Sequence, residues 1–380
     1  MTTRLLEYCR THEGWLLELI ETLTAIESPT DDKAAVDRCG HTLAARLEDI
    51  GATVSRVESS TAGDHLVARV GTGARQILLL GHFDTVWPIG QLARMPLRRE
   101  DGRLHGPGVF DMKAGISLAM LATRALLAVA PPEDVAIAML WTTDEETGSH
   151  TSRALIETEA AHSDAVLVLE PSLAHGALKT ARKGCGQYEL IVHGVSAHAG
   201  VDPRKGVNAI RELAHQVLAV DAVRDLDRGI SVNVGLVAGG SRANVVPDYA
   251  TATVDVRAAT MADADEVDRK MRALRAMGEG ARLEVTGGFN RPPMERSAGV
   301  VRLFELARAV AGDMGVALEE GATGGGSDGN FTAALGVPTL DGLGAIGDGA
   351  HALHEHVELA ALVPRAALIA GLLHRLTRAS

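Results

Sequence analysis

The chain has 380 residues, of which 46% are hydrophobic and 23% are charged, so a globular protein of two domains is expected. Its formal net charge of -12 argues against nucleic acid or an anionic membrane as a partner, because both require clustered Lys and Arg. The three cysteines, Cys9, Cys39 and Cys185, share no CxxC spacing, which predicts a reduced cytoplasmic protein without disulfide bonds.

The predicted elements begin with helical periodicity over the first fifty residues, which breaks at Ser28-Pro29-Thr30. The β-rich runs HLVARV, QILLLG, VAIAMLWT and AVLVLE follow. Helices are predicted between the later runs, over residues 115–129 and 152–160. The first of these is apolar but contains Arg124 and is shorter than the ~20 residues of a membrane span, so it predicts a buried helix. Apolar strands separated by helices indicate an α/β sheet that is covered on both faces.

A different pattern starts near Gly184. The run YELIVHGV alternates as a half-buried strand, a helix is predicted over 204–220, and the strands SVNVGLVAGG and TATVDVRA follow. A helix over 263–277 and the strand RLEVTGG complete a β-α-β-β-α-β order, which is that of the ferredoxin-like unit. We therefore predict a catalytic domain in two parts, residues 1–183 and 292–380, with a second domain inserted at 184–291. The last helix is predicted over 359–376.

Polar side chains follow several of the predicted strands of the first domain. In open α/β sheets ligands bind at the carboxyl ends of the strands, so we expect these side chains to meet at one edge. The candidates are His82 and Asp84 in GHFDTV, Asp111 in GPGVFDMKAG, the run Asp144-Glu145-Glu146, Glu170 at the end of AVLVLE, and His351 after a glycine-rich segment.

An imidazole combined with carboxylates suits zinc or a similar cation, and a pair of such ions requires about five protein ligands. Hydrolysis also requires a base that takes a proton from water and passes it to the leaving amine. Glu145 and Glu146 are adjacent, and neighbouring side chains of an extended segment diverge. One can therefore bind metal while the other faces the water. Asp84, two residues after His82, is placed to hold the second ring nitrogen of that histidine.

The ordered motifs GHFDTV, GPGVFDMKAG, TTDEETGS, LEPS, SAHAG and GGGSDGN resemble those of the co-catalytic zinc peptidases. This family includes glutamate carboxypeptidase (carboxypeptidase G), aminoacylase and acetylornithine deacetylase, and the resemblance is closest to the glutamate carboxypeptidase type. It covers nearly the whole chain and implies a mixed-sheet catalytic domain with a ferredoxin-like lid and dimerisation domain.

The resemblance also implies a set of residue roles. Asp111 is expected to bridge two zinc ions and to precede a cis peptide bond. The remaining metal ligands are expected to be His82 and Glu170 for one ion, and Glu146 and His351 for the other. Glu145 is the expected general base and acid, and Asp84 the partner of His82. HALHEHVE also offers His354 and His356, and His351 is preferred because it lies four residues before Glu355.

In the inserted domain, the resemblance implies that His198 reaches the active site of the partner subunit and stabilises the oxyanion there. It assigns Arg257 to the substrate carboxylate. Asn244, Gly325 and Gly326 are expected to line the same pocket. Several of the candidate residues also have a purely structural alternative. These alternatives are an N-cap role for Asp111, a solvated acidic turn for residues 144–146, a strand-ending role for Glu170, and a pair between Arg257 and Asp255.

The implied reaction is hydrolysis of an amide bond next to a free carboxylate, which releases a C-terminal amino acid from a peptide or N-acyl amino acid. A deacylase of the aminoacylase or acetylornithine deacetylase type is the alternative within enzymes. A catalytically inactive binding protein is a third possibility, but it predicts a missing base or ligand, and every candidate residue is present. The resemblance further implies a homodimer formed through the lid.

Overall fold

The computed structural model describes residues 1–378 of the chain, which fold as two compact units. The first consists of Met1–Ala181, Arg296–Ala322 and the chain from Ser327 onward. The second consists of Arg182–Glu295 and Thr323–Gly326. The tip of GGGSDGN therefore belongs to the second unit, although it is separated in sequence from the rest of that unit.

The first unit is built on a six-stranded mixed sheet. The strand Arg75–His82 lies near its centre and runs parallel to both neighbours, Val135–Thr142 and Ala165–Val168. The last six residues of the central strand are buried, as expected for a strand covered on both faces. In order across the sheet, the strands are Thr53–Val57, His65–Val70, Val135–Thr142, Arg75–His82, Ala165–Val168 and Thr339–Leu340. The first two are antiparallel to their neighbours.

Helices cover the central sheet of the first unit. Side chains alternate across this sheet, so that Leu79 packs into the larger of two buried apolar clusters and Leu78 and Leu80 into the other. The α-helices of this unit are Thr2–Thr11, Glu13–Thr24, Lys33–Asp49, Ala114–Val129, Arg153–Ala161, Ala298–Asp313, Gly329–Ala334 and Leu359–Arg378.

Short elements complete the first unit. A small four-stranded sheet has the order Gly347–Asp348, His356–Glu358, Arg103–His105 and Arg98–Glu100. Two further strands are Leu178–Arg182 and Glu320–Thr323, and single turns of 3₁₀ or π-helix are found at Gln91–Ala93, Val109–Lys113, Glu145–Thr147 and Ala174–Gly176.

Two helical segments, Val109–Val129 and Leu359–Arg378, are long and apolar enough to cross a membrane by length and composition alone. Their most apolar windows are 78% and 67% buried within the protein. Packing in the core of the first unit therefore accounts for their apolar character.

The second unit contains a four-stranded antiparallel sheet with two helices. The strands, in order across the sheet, are Ser231–Gly239, Tyr249–Ala258, Gly184–His193 and Arg282–Arg291. Along the chain, strands and helices follow the β-α-β-β-α-β order of the ferredoxin-like unit. The helices are Ala209–Asp221 and Met261–Ala273, and the small elements are Pro203–Lys205 (3₁₀) and the paired strands Ala197–His198 and Val245–Val246.

Both helices of the second unit start at a different residue from the predicted one. The helix predicted from residue 204 begins at Ala209, because the side chain of Asn208 caps it by accepting a hydrogen bond from the Arg211 amide. The helix predicted over 263–277 begins at Met261 after the Thr260 cap and ends at Ala273.

Candidate active site

The carboxyl ends of three adjacent strands of the first unit meet at one edge of the sheet. His82 is the last residue of the central strand and lies opposite Thr142, the last residue of its neighbour. Glu145 and Glu146 follow Thr142 in a single 3₁₀ turn, and Glu170 follows the strand Ala165–Val168. The sheet thus brings these sequence-predicted residues together.

Asp111 lies at the centre of this group, with a different histidine facing each oxygen of its carboxylate. Its Oδ1 is 3.3 Å from Nε2 of His82, and its Oδ2 is 3.4 Å from Nε2 of His351. Oε1 of Glu170 is 3.7 Å from the same nitrogen of His82. Oε2 of Glu146 is 3.2 Å from the same nitrogen of His351. These five residues, His82, Asp111, Glu146, Glu170 and His351, are called the carboxylate–histidine cluster below.

Asp111 occupies the position that a bridging ligand requires, since one of its oxygens faces each half of the cluster. The peptide bond that follows it, Asp111–Met112, is cis, as the resemblance implies. The alternative role of Asp111 as a helix N-cap is wrong. The helix Ala114–Val129 starts after Lys113 and has no side-chain cap.

The ring of His82 is oriented by Asp84. Nδ1 of His82 lies 3.1 Å from the backbone oxygen of Asp84 and 3.2 Å from its Oδ1. Both neighbours are acceptors, so Nδ1 carries a proton and Nε2 presents its lone pair to the cluster when the ring is neutral. The other carboxylate oxygen of Asp84 accepts hydrogen bonds from Thr30 Oγ1 at 2.7 Å and from the Glu146 amide at 3.3 Å.

The electrostatics of the cluster favour a bound cation. Burial opposes protonation of His82, but Asp111 and Asp84 outweigh it and raise the pKa of His82 well above its usual value. Hydrogen bonds with Asp111 and Glu146 raise the pKa of His351 to about 10. The clustered carboxylates therefore attract positive charge, and a divalent cation would compete with these protons for the same atoms.

One atom of the cluster adds a separate argument for a metal. Oε1 of Glu146 is buried and has no hydrogen-bond partner among the described residues. A buried carboxylate oxygen left in this way is costly. Ligation of a cation would satisfy it, so the side chains present fit the predicted metal centre.

The three histidines of HALHEHVE occupy different surroundings. His351 faces Asp111 and Glu146. His354 is exposed, with its Nε2 3.8 Å from Asp348. His356 lies in a strand opposite His105. Of the three, it is His351 that the structure brings to the cluster.

Glu145 and Glu146 diverge, but the reason differs from the expected one. We predicted an extended segment, whereas both residues lie in a 3₁₀ turn. Oxygen atoms of Glu145 group with ligand atoms of His82 and Glu170 within 4.8 Å of one another, and those of Glu146 group with His82 and Asp111. Each glutamate therefore faces a different part of the cluster.

The neighbouring acidic residue, Asp144, has a structural role. Its carboxylate accepts hydrogen bonds from the Thr151 amide and hydroxyl and from the Ser152 hydroxyl, at 2.6 to 2.8 Å. Asp328 of GGGSDGN supports the same region by accepting hydrogen bonds from Thr142 Oγ1 and Ser149 Oγ. The interpretation of residues 144–146 as a solvated acidic turn is wrong for Asp144, which is buried.

In the second unit, His198 lies in a short strand opposite Val245, and its side chain is exposed. Its Nδ1 accepts hydrogen bonds from the amides of Gly200 and Val201 at 3.2 and 3.1 Å. A nitrogen that accepts in this way has no proton, so the proton of the neutral ring lies on Nε2. The backbone oxygen of Asn244 accepts from the Ala199 amide at 3.0 Å and so supports the same turn.

Arg257 forms an ion pair with Asp255, which is the structural alternative predicted from the sequence. Two nitrogens of its guanidinium lie 3.0 and 2.7 Å from the Asp255 carboxylate. The third guanidinium nitrogen, Nη1, lies 2.6 Å from the sulfur of Cys185. The pair with Asp255 uses one edge of the guanidinium, and the Nη1 side points toward Cys185.

Cys185 is the centre of a basic group that sequence reasoning found only in part. It lies opposite Arg257 on one neighbouring strand and opposite Arg291 on the other. A side chain at Gly326 would collide with the sulfur of Cys185 and with Arg291, at 2.8 and 2.9 Å from its Cβ. Arg182 donates to the backbone oxygens of Gly325 and Gly326 at 3.1 and 3.0 Å. Arg182, Arg257 and Arg291 form what is called the arginine cluster below.

Arg291 was not predicted from the sequence, and Arg182 was noted only as part of the segment ARKG at 181–184, either as positive charge near the pocket or as a solvated hinge. Their best signal was position, since Arg291 ends the last strand of the second unit and Arg182 ends a strand just before that unit's first strand, Gly184–His193. Both side chains are buried, at 3% and 8% exposure, and arginine is almost never fully buried unless it is paired. That burial is visible only in the folded protein.

Comparisons with known proteins identify the family of the chain. Residues 78–375 match the model of Peptidase family M20/M25/M40. The chain belongs to this family. The resemblance to co-catalytic metallopeptidases is thereby confirmed, and the protein is a hydrolase of peptide or related amide bonds with metal-binding residues. The third possibility, an inactive binding protein, is not supported.

The relatives include enzymes of two reaction types. The chain is 32% identical to carboxypeptidase G2 of Pseudomonas sp. (strain RS-16) over 369 residues, covering 94% of this chain and 88% of the relative. It is 30% identical to succinyl-diaminopimelate desuccinylase of Verminephrobacter eiseniae (strain EF01-2) over 378 residues, covering 90% and 92%. Both names describe enzymes that hydrolyse amide bonds, and they do not identify the substrate of this protein.

Solved structures support the fold. The YXEP protein of Bacillus subtilis, a dinuclear metal binding peptidase from the M20 family, superposes with a TM-score of 0.71 at 14% identity. The match covers 97% of this chain and 99% of that protein. The predicted α/β fold class with a mixed sheet is therefore confirmed.

Proposed function

We propose that this M20 family member is a two-zinc hydrolase that cuts an amide bond next to a free carboxylate. The proposed product is a C-terminal amino acid, released from a peptide or an N-acyl amino acid. The observation that carries the proposal is the position of Asp111, whose two oxygens face His82 and His351 respectively. The similarity to carboxypeptidase G2 supports the choice of reaction.

The proposed metal ligands divide into two sets that share Asp111. His82 and Glu170 complete one set, and Glu146 and His351 complete the other. Imidazole nitrogens and carboxylate oxygens are ligands that zinc accepts. When bound, a pair of such ions polarises a substrate carbonyl and lowers the pKa of water. By occupying Nδ1, Asp84 leaves the Nε2 lone pair of the neutral His82 ring facing the cluster, where it would be available to a metal ion.

Glu145 is the proposed proton carrier. It takes the proton of the attacking water and gives it to the nitrogen of the leaving amine. Its oxygens group with those of Glu170 and with a His82 nitrogen within 4.8 Å, while its side chain remains only half-buried. A base in this position reaches both the cluster and a substrate that arrives from solvent.

The second unit supplies the proposed contacts with the charged parts of the substrate. His198, with its proton on Nε2, is a donor for the oxygen that becomes negative during attack. Arg257 is the proposed partner of the substrate carboxylate, as the resemblance implies, and Arg291 is added because it lies on the other side of Cys185. Guanidinium groups bind carboxylates through paired hydrogen bonds. Asn244, Gly325 and Gly326 remain proposed lining residues.

The alternative function is removal of an acyl group from an amino acid. The similarity to succinyl-diaminopimelate desuccinylase favours it. Both reactions use the same cluster and base, and both release an amino acid from the amine side of the amide. They differ in the group that is recognised on the acyl side.

A matched substrate panel tests the proposal. Each dipeptide or N-acyl amino acid is supplied with a free C-terminal carboxylate and as the C-terminal amide, and each dipeptide also with a blocked amine. We expect compounds with the free carboxylate to be cleaved much faster than their amides, whether or not the amine is blocked. Equal cleavage of the amides would contradict the proposal, and a requirement for a free amine would indicate an aminopeptidase. Preference for N-succinyl-diaminopimelate over N-acyl glutamate would favour the alternative function.

We also propose that the protein is a homodimer formed through its second unit. The strand Ser231–Gly239 is at an edge of the sheet, and its Leu236 and Val237 are 69% and 63% exposed. Leu218 on the helix Ala209–Asp221 is 71% exposed. An uncovered apolar edge strand is suited to pairing with a second chain. Light scattering should give the mass of a dimer for the wild type and of a monomer for Leu236→Asp.

A further inference from the structure

Four N–H groups converge on one buried carboxylate beside the candidate metal centre. Oε1 of Glu355 accepts hydrogen bonds from the amides of Phe110 and Asp111, at 2.9 and 3.1 Å. Its Oε2 accepts from the Gly108 amide at 2.9 Å and from Nε1 of Trp87 at 2.8 Å. Glu355 is 1% exposed, so these hydrogen bonds form away from water.

The donors come from segments that carry site residues. Trp87 follows the residues His82 and Asp84 after only a few positions, and the amides of Gly108 to Asp111 form the loop that presents the Asp111 carboxylate. Glu355 itself ends the turn Ala352–Glu355, in which its amide donates to the Ala352 oxygen at 3.0 Å, and this turn directly follows the turn Gly349–Ala352 that contains His351. A single carboxylate thus ties together three segments that contribute to the carboxylate–histidine cluster.

The segments that surround the Glu355 side chain contain little regular structure beyond the single turn of π-helix at Val109–Lys113. The residues Gly108 and His351 have positive φ angles of 72° and 61°, and a Cβ at Gly108 would lie 2.5 Å from Cγ2 of Thr85. A non-glycine residue such as His351 adopts a positive φ only when its surroundings impose it. The hydrogen bonds to Glu355 provide such a constraint on both sides of the cluster.

We infer that Glu355 is a positioning residue of the metal centre, which fixes Asp111 and His351 relative to each other so that both ions can be bound. This inference rests on the proposed two-metal function. Glu355 touches neither substrate nor metal, and acts through the loop Gly108–Asp111 and the turn of His351. Only a carboxylate offers two acceptor oxygens to four donors, whereas a glutamine would turn its NH₂ group toward two of them.

Glu355→Gln is therefore a sharp test, because it keeps the size of the side chain. Metal-free protein is titrated with Co²⁺, and binding is followed by visible absorption, which also reports the coordination of the ion. Partners of metal ligands typically change metal affinity by ~10–100-fold when they are replaced. We expect Glu355→Gln to weaken Co²⁺ binding by about that factor and to alter the absorption spectrum of the bound ion.

Glu212→Gln is the matched control. Glu212 is a 3% exposed glutamate in the second unit, and it accepts hydrogen bonds from the amides of Met277 and Gly278 and from the Gln216 side chain. Its replacement should lower the unfolding midpoint without changing Co²⁺ affinity. Equal Co²⁺ affinity of Glu355→Gln and Glu212→Gln would overturn the inference.

Two further results keep the test decisive. If Glu355→Gln does not fold, Trp87→Phe removes one donor alone and should weaken Co²⁺ binding by roughly threefold, below the range for a complete replacement. Unchanged binding by Trp87→Phe would then overturn the inference. If the wild type itself binds no Co²⁺, the proposed metal centre is wrong. If the wild type binds two ions and Glu355→Gln binds them equally well, only the proposed role of Glu355 is wrong.

Discussion

The two units each gather charges of one sign, but the charges differ in how they can be neutralised. In the carboxylate–histidine cluster of the first unit, the carboxylates face His82 and His351 and raise the pKa of both rings. The arginine cluster of the second unit cannot respond by releasing protons, because guanidinium groups remain charged. The first arrangement is suited to exchanging protons for metal ions, and the second to attracting an anion. We therefore propose that the first unit carries out the chemistry and that the second recognises a carboxylate.

Among the substitutions that test this difference between the two units, replacement of Glu145 is expected to have the largest effect on activity. Removal of a general base and acid typically costs ~10²–10⁴-fold in rate, so we expect Glu145→Gln to lower kcat by roughly 10³-fold while the metal content is unchanged. Steady-state kinetics and elemental analysis provide the measurement. Glu133→Gln, at an exposed position of the same unit, is the control. Full activity of Glu145→Gln would contradict the proposal that the first unit carries out the chemistry.

His198 tests whether the second unit also contributes to the chemical step. Loss of one donor to a developing oxyanion typically costs ~10²–10³-fold in kcat. We expect His198→Ala to lower kcat by about 10²-fold with little change in KM, since the donor acts mainly in the transition state. His193→Ala, in the first strand of the same unit, should be nearly normal. A change confined to KM would limit the second unit to substrate binding.

Arg291 tests the assignment of recognition to the arginine cluster. Hydrogen bonds to charged groups contribute about 1.5–3 kcal/mol, so Arg291→Met should lower kcat/KM by roughly 10–100-fold, mainly through KM. The loss should be found for substrates with a free carboxylate and not for the amides. Arg282→Met, at the exposed start of the same strand, is the control. Equal losses for both substrate types would show that Arg291 supports the fold instead.

The smallest expected effect comes from a charged pair that serves stability alone. Hydrogen bonds with Arg296 lower the pKa of Glu320 to about 2 against the effect of burial, and Thr180 assists. The folded-state pKa is depressed, so the stabilisation is present above pH 4.5 and is lost as the pH falls toward 2. Because the pair is partly exposed, it is worth about 1 kcal/mol at most.

Unfolding free energies of the wild type and Glu320→Gln should therefore differ by about 1 kcal/mol near neutral pH and converge near pH 2. Activity at neutral pH should be unaffected. If the difference in unfolding free energy grew on acidification, the pair would not be stabilised by the charge on Glu320, and the prediction would be wrong.

Several candidate site residues of the first unit were predictable in position, because they follow apolar strands, whereas their roles came from the resemblance to the family. The run QILLLG places His82 at the edge of a buried sheet whatever the details of the loops. Helix boundaries were harder to predict. Residue 204 lies in a helical pattern, but the Asn208 cap delays the helix to Ala209.

The arginine cluster was predictable only in part, because it depends on register. Arg257 and Arg291 lie on two different strands, and they meet across Cys185 only because both strands pair with Gly184–His193. No local pattern specifies that pairing. The role of Glu355 could not be predicted for a similar reason, because its four hydrogen-bond donors lie about 250 residues away in sequence.

The central claim is that Asp111 holds two metal ions between two sets of side chains. Elemental analysis of the purified protein, after equilibration with Zn²⁺ and removal of the free ion, tests this claim most directly when wild type and Asp111→Asn are compared. We expect two zinc ions per wild-type chain and a loss of both tightly bound ions from the variant. A wild type without zinc, or an Asp111→Asn variant that keeps both ions, would contradict the account.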